Sequence, residues 1–340
     1  MGNDDILKIG VIGAGAWGTT LANLLAEKGF RVDLWVREKE AYEQIKNERI
    51  NRIFLPDIKL SQELNPVRTY EEALSGKDLT LIVVPSHVFR EVLNAMKIFL
   101  GPDTSVMAAT KGIENRTLMT MSQIAKEILS SEQAGRFAYL AGPSFAKEVS
   151  LKNPTAVTIA CKDLIHAERL QKLFNTPFFR VYASQDLMGL QLCGALKNVI
   201  AISAGAADGL GFGHNARAAL ITRGLAEITR LGVAMGANPH TFAGLAGMGD
   251  LVLTCTGDLS RNRNVGLKIG KGMCLDEVTE GMTMVAEGIK TTRSAYELGK
   301  KMGVEMPITT QMYQILYEGK EPRDAVRELM ARELRGEIEH

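Results

Sequence analysis

LKIGVIGAGAWGTTLANLLAEKG, residues 7–29, holds a strand, a turn and a helix in immediate succession. LKIGVI (7–12) is a short β-branched run of the kind buried inside a parallel sheet. The helical stretch TTLANLLAEKG follows the turn, and Gly29 supplies its C-cap. Between them stands Gly13-Ala14-Gly15-Ala16-Trp17-Gly18. Each glycine has its own reason: Gly13 permits the tight turn, Gly15 lets backbone approach a pyrophosphate, and Gly18 lets helix and strand pack closely. The start of the helix then offers free N–H groups to phosphates. A GxGxxG pattern alone is a weak signal, and the strand before it with the helix after it makes this one a dinucleotide-binding fingerprint.

Outward from this unit, strands are expected at 31–37, 79–84, 104–109, 137–141, 155–160 and 179–182, with helices at 87–99 and 117–130. Strands alternating with helices give an α/β fold with a mostly parallel, Rossmann-type sheet covered on both faces. After about residue 187 strand signals almost vanish, and 189–206, 215–235, 263–272, 287–302, 309–317 and 322–335 read as helices. The expected division is a dinucleotide-binding domain at 1–187 and an all-α substrate and catalytic domain at 188–340. The chain's 340 residues agree with two domains at ~150 residues each. No Pro/Ser-rich linker separates them, so they should pack tightly.

Lys plus Arg number 40 and Asp plus Glu 39, a formal net charge of +1. That balance leaves no electrostatic footprint for nucleic acid or an anionic membrane, so an anionic ligand must meet locally placed cations and N–H groups. Cys161, Cys193, Cys255 and Cys274 are far apart with no CxxC pair, which argues against a zinc site or a disulfide framework. The N-terminus is acidic and then strand-like, unlike a secretion signal. No apolar run reaches the ~20 residues of a membrane span. The reading is a reduced, cytoplasmic protein without a metal.

The end of the second strand selects the dinucleotide. An acidic side chain there accepts from ribose hydroxyls, whereas an arginine neutralises a 2′-phosphate. Asp33 lies mid-strand, while Arg37 closes it beside Glu38. Arg37 is therefore expected at the adenine ribose phosphate, so that NADPH is accepted and NADH remains usable. The other reading is a solvated strand-end arginine.

Lys111 in ATKG (109–112) follows a strand, where open α/β sheets bind ligands, or else is an exposed lysine before a turn glycine. AGPSF (141–145) also closes a strand, and Gly142 and Ser144 can offer N–H and hydroxyl donors. Lys147 fits a solvated face. Lys197 is sharper. In LQLCGALKNVIAISAGA it shares a face with Cys193, Leu196, Ile200 and Ala204, a buried stripe where an ammonium is costly unless used. Desolvation brings its pKa towards efficient acid–base work, unless the side chain snorkels at the helix edge. Asp250 in GLAGMGDLVLT is its candidate partner, or an N-cap. Ser260, Arg261 and Asn262, ahead of a helix start, form a candidate phosphate cradle, or a solvated basic turn. The first loop already serves the cofactor's pyrophosphate, so a second cradle implies a phosphorylated substrate.

These blocks closely resemble the bacterial-type NAD(P)-dependent glycerol-3-phosphate dehydrogenase family. The matching segments are GAGAWGTTLA (13–22), VVPSHVF (83–89), ATKG (109–112), GPSFAKE (142–148), LKNVIAI (196–202), GLGFGHNARAALITRGLAE (209–227), AGMGDLVLTC (246–255), SRNRNVG (260–266), VAEG (285–288) and GVEMPIT (303–309). The resemblance implies reversible reduction of dihydroxyacetone phosphate to sn-glycerol 3-phosphate with NAD(P)H, supplying phospholipid synthesis from the cytoplasm. It implies Lys197 as the proton acceptor in oxidation and donor in reduction. Lys111, Gly142, Ser144, Asp250, Ser260, Arg261 and Asn262 would line the glycerol phosphate, with Lys111 and Arg261 also near the cofactor. Ala16, Trp17, Arg37, Ala146, Val285 and Glu287 would contact the dinucleotide. Position 16 is often serine in the family and is Ala here, so only a backbone contact survives. The Gly/Ala-rich helices add the expectation of a homodimer.

Two other enzyme readings keep the architecture. A 2-keto or 3-hydroxy acid substrate leaves SRNRN without a role, and nucleotide-sugar oxidation would need a nucleophilic cysteine such as Cys193. A non-catalytic NAD(P) sensor would have no reason to bury Lys197.

Overall fold

The computed structural model describes residues 7–280, 282, 286–334 and 336–337; Val285, expected at the dinucleotide, lies outside them. The strands are β1 (Lys8–Ile12), β2 (Arg31–Trp35), β3 (Leu64–Val67), β4 (Leu79–Ile82), β5 (Ser105–Ala108), β6 (Ala138–Ala141), β7 (Thr155–Cys161) and β8 (Phe179–Ser184). They form one sheet in the order β3-β2-β1-β4-β5-β6-β7-β8. Every pairing is parallel except β6 with β7. The strands from β1 to β6 therefore end at the same edge, where the chain leaves at Gly13, Val36, Arg68, Val83, Ala109 and Gly142.

β3 has no counterpart in the expected set. Its sequence is LNPV, and a proline reads against a strand because it donates no ladder hydrogen bond. The sheet tolerates Pro66 because β3 is the outermost strand, paired only with β2. β2 itself stops at Trp35, so Arg37 stands two residues beyond it. The expected helix at 117–130 narrows to Met121–Ile128, while Lys39–Glu48 and Leu164–Phe174 are helices that the periodicity did not single out.

The helices that shape the site are α1 (Ala16–Glu27), α2 (Leu187–Gly209), α3 (His214–Ala234), α4 (Asp250–Thr256), α5 (Arg261–Gly270) and α6 (Glu287–Met302). One apolar cluster lies under α1 and includes Ile9, Val11, Leu21, Leu25 and Leu34. The other runs from Ile12, Ile82 and Tyr139 on the opposite face straight into Leu196, Val199 and Ile200 of α2. The sheet is thus covered on both sides, and one of its cores is continuous with the helical half.

α2 is the axis of that half. The expected single buried stripe is a correction: α2 is buried almost all round, from Leu187 to Ala207, with Met188 and Ser203 only half-buried. A helix apolar on every side is either a membrane span or a core. By length and composition α2 could cross a bilayer, but most of it is enclosed by protein. Against it α5 packs backbone to backbone. A Cβ at Gly266 would stand 1.9 Å from the Ile202 carbonyl oxygen, one at Gly270 2.2 Å from that of Ala206, and one at Gly205 2.0 Å from that of Arg263. Gly205 and Gly209 on α2, the latter with a Cβ that would stand 2.4 Å from the Leu267 oxygen, and Gly266 and Gly270 on α5 make this seam, and it fixes the start of α5 relative to Lys197.

Candidate active site

The glycine loop meets its three demands differently. Gly13 has φ +114°, and a Cβ there would lie 2.4 Å from the Val83 oxygen; one at Gly18 would lie 1.9 Å from the Gly13 oxygen. At Gly15 a Cβ would meet no protein atom within 4 Å, so this glycine answers a demand from outside the chain. Gly15 is the N-cap of α1 with no side-chain cap, and no acidic residue occupies the first turn. Trp17 Nε1 is buried without a hydrogen-bond partner among the described residues. An uncapped helix start, an open glycine and an orphaned indole N–H together fit the pyrophosphate and ribose of a dinucleotide.

Arg37 is 74% exposed and paired with Glu38 at 2.7 Å. Asp33 instead bonds Asn65 at 2.6 Å and pairs with Lys77, near the opposite end of the strands. It is occupied structurally and is not at the loop edge. Ala146 opens a short helix whose first carbonyl accepts from Thr20 of α1 at 3.3 Å, tying the segment after β6 to the glycine-loop helix.

Lys111 is aimed by the turn after β5. Thr110 donates to the Val84 carbonyl at 2.8 Å, and buried Tyr139 donates to the Thr110 carbonyl at 2.8 Å. Gly112, at φ +147°, admits no side chain because Ser86 lies 2.3 Å from where its Cβ would be. So held, Lys111 Nζ reaches Asp250 Oδ2 at 3.0 Å.

Asp250 is presented by an unusual turn. Leu245–Gly249 forms a π-helical turn running directly into α4, with Gly249 N–H bonded to the Gly244 oxygen at 3.2 Å. Such wide turns recur at functional sites. Gly247 makes this one possible: a Cβ there would stand 2.1 Å from the Phe242 oxygen. Asp250 is therefore the first residue of a helix and not its N-cap, and it is 1% exposed.

Lys197, 5% exposed, donates to Asp250 Oδ1 at 2.7 Å and to Thr254 Oγ1 at 2.7 Å. Thr254 spends its own proton on the Asp250 carbonyl at 2.6 Å, so its hydroxyl can only accept from the lysine. Two of the three ammonium donors are thus used, and one remains for a ligand oxygen. The cluster is two cations on one carboxylate. Burial, with Lys111 alongside, brings Lys197 down to about 8 against the pull of Asp250. Thr254 was not foreseen, although its place four residues after Asp250 on one helix face carried the signal.

At the other end of the cleft, Ser260 caps α5 by accepting from the Arg263 N–H at 3.2 Å. Asn262 Oδ1 accepts from the Gly288 N–H at 3.0 Å, joining α5 to α6. The hydroxyl oxygen and the amide oxygen each accept one bond within the protein, leaving the Ser260 O–H, the Asn262 amide N–H groups and the exposed Arg261 guanidinium for an anion. Arg263, directly after them in the motif, is bound to Asp208 at 2.9 Å and Asp258 at 3.0 Å, and so holds the helix start in place. Glu287 opens α6, half-buried. The crowding of the cleft pushes its carboxyl up to about 7, against Arg261, Lys111 and Lys197.

Gly142, at φ +145°, would place a Cβ 2.8 Å from the Val157 Cα, and Ser144 donates to the Gly142 carbonyl at 2.9 Å. Burial holds the Cys193 thiol well above its ordinary value, which unfits it as a nucleophile.

Profiles of the NAD-dependent glycerol-3-phosphate dehydrogenase family match this chain, the N-terminal region over residues 8–167 and the C-terminal region over 186–327. A glycerol-3-phosphate dehydrogenase (NAD(P)+) from Geobacter sulfurreducens is 58% identical over 330 residues, 97% of this chain and 98% of the relative. One from Syntrophotalea carbinolica is 55% identical over 333 residues, 98% and 100% of the two chains. The crystal structure of glycerol-3-phosphate dehydrogenase from Coxiella burnetii superposes with a TM-score of 0.91 at 39% identity, covering 96% of this chain and 99% of that one. D-mandelate dehydrogenase, at 14% identity and a TM-score of 0.65, shares the fold alone.

Proposed function

The chain belongs to the NAD-dependent glycerol-3-phosphate dehydrogenase family, and on that premise we propose how its own residues carry the reaction. It is an NAD(P)-dependent oxidoreductase that interconverts dihydroxyacetone phosphate and glycerol 3-phosphate. When bound, the dinucleotide supplies the hydride to C2 in reduction and accepts it in oxidation. The reading extends to a division near residue 187, a cytoplasmic location, a homodimer and a supply role in phospholipid synthesis.

The observation that carries the mechanism is the buried Lys197 ammonium with one unspent donor. That donor bonds the C2 oxygen, polarises the carbonyl and passes its proton as the alcohol forms. Asp250 and Thr254 hold the amine by two of its hydrogen bonds and leave the third directed at substrate. Lys111 shares Asp250 and adds positive charge where oxyanion character develops. Arg261 and the Asn262 amide hold the phosphate at the start of α5, fixing C2 beside Lys197. Gly15, Trp17 and the first turn of α1 hold the pyrophosphate side of the dinucleotide, Arg37 its adenine ribose, and Ala146 and Glu287 border it.

Reduction requires protonated Lys197 and oxidation requires it neutral. With its pKa at about 8, kcat/KM for ketone reduction should fall as pH rises through that value, and kcat/KM for alcohol oxidation should rise through it. Profiles in both directions test this; parallel profiles would exclude Lys197 as the titrating group. Arg261→Ala tests the phosphate assignment. Losing a hydrogen bond to a charged partner costs ~1.5–3 kcal/mol, so KM for dihydroxyacetone phosphate should rise ~10–150-fold. Unphosphorylated dihydroxyacetone should be turned over equally by both proteins. An unchanged KM would place the phosphate elsewhere.

A further inference from the structure

Asn51 takes no part in the site described above, yet it is completely buried and bonded to the glycine loop. Its Nδ2 donates to the Ala14 carbonyl at 2.9 Å and to Thr19 Oγ1 at 2.9 Å, and its Oδ1 accepts from the Phe54 N–H at 3.3 Å. Thr19 in turn donates its hydroxyl proton to the same Ala14 carbonyl at 3.1 Å. One carbonyl inside the turn thus receives two donors from behind, and the carboxamide orientation is fixed because only its nitrogen can donate.

The peptide unit linking Ala14 to Gly15 is planar and trans, so its C=O and N–H point in opposite directions. Pulling the Ala14 oxygen inwards therefore turns the Gly15 N–H the opposite way, and Gly15 itself borders open space, since a Cβ there would meet no protein atom within 4 Å. Without that pull, a loop flanked by Gly13 and Gly15 is free to flip the peptide, and a carbonyl dipole would then face the ligand.

We propose that Asn51, with Thr19, is a positioning residue that locks the Ala14–Gly15 peptide so that its N–H faces the dinucleotide's pyrophosphate. The proposal rests on placing the dinucleotide at this loop. Asn51 reaches the loop from the segment after helix Lys39–Glu48, so a residue far outside the glycine fingerprint sets its polarity.

The test is equilibrium binding of ADP-ribose, which carries the pyrophosphate without the reacting ring, to wild type, Asn51→Leu and Thr19→Val. Calorimetry gives Kd, and steady-state assays at saturating NADPH give KM for dihydroxyacetone phosphate. Misdirecting one N–H from a charged acceptor should weaken ADP-ribose about tenfold or more in Asn51→Leu. Thr19→Val, which keeps one donor on Ala14, should lose about threefold. KM for the triose phosphate should stay within about twofold in both, because the clamp touches only the dinucleotide side. An unchanged ADP-ribose Kd in a folded Asn51→Leu overturns the clamp, as does an equal loss for both ligands. Should Asn51→Leu fail to fold, an unchanged Kd in Thr19→Val overturns it alone. Wild type that binds no ADP-ribose would overturn the loop placement itself, and the clamp with it.

Discussion

Lys197→Ala is expected to lower kcat by ~10²–10⁴-fold while leaving dinucleotide affinity within about threefold. The size follows from losing both the proton and the donor that polarises the ketone. The selectivity follows from geometry: Lys197 bonds Asp250 and Thr254, not the glycine loop. The variant should still fold, because Lys111 remains on Asp250 and no carboxylate is left buried without a cation. Single-turnover oxidation of NADPH with dihydroxyacetone phosphate measures the chemical step directly. Turnover at the wild-type rate would remove Lys197 from the reaction.

Asp250→Ala is expected to damage both stability and chemistry. Among the described residues Asp250 is the acidic partner of both ammonium groups, and breaking such a buried pair costs ~3–5 kcal/mol out of a total near 5–15. The direction of the chemical effect can be worked out as well. The Asp250 carboxylate raises the Lys197 pKa, while burial and Lys111 lower it. Removing the carboxylate leaves only the lowering influences, so the proton leaves Lys197 at lower pH and the reduction profile shifts to the acid side of 8. Asp250→Asn, which keeps the shape, should show the same displacement with a smaller drop in Tm. A pH profile that stays in place in both variants would show that Asp250 does not govern the lysine.

The glycine loop was readable because three separate steric demands fall at fixed spacing between a strand and a helix. Lys197 was readable because a charge within an apolar helix is costly, although burial on every side of α2 exceeds what its periodicity conveyed. Lys111 with Asp250 was not readable as a pair: the two are separated by 139 positions and meet only through the turn after β5 and the π-turn before α4. A π-turn has no composition of its own, and glycines in GLAGMGD read equally as a loop. Ser260 and Asn262 were expected to bring a hydroxyl and an amide to a phosphate cradle. Helix capping and the Gly288 N–H claim part of them, a competition that local sequence does not reveal. β3 was missed because Pro66 is acceptable only at an edge, and edge position is a property of the assembled sheet.

The glycine seam between α2 and α5 also bears on heredity. Any missense change in a glycine codon adds at least a Cβ, and at Gly205, Gly266 and Gly270 that atom would arrive within 2.2 Å of a neighbouring carbonyl oxygen. Overpacking of this kind typically costs ~1–3 kcal/mol and sometimes more. These codons therefore form a compact mutational target, at which substitutions are expected to meet purifying selection. Variation in the gene has to be accommodated elsewhere in the helical half.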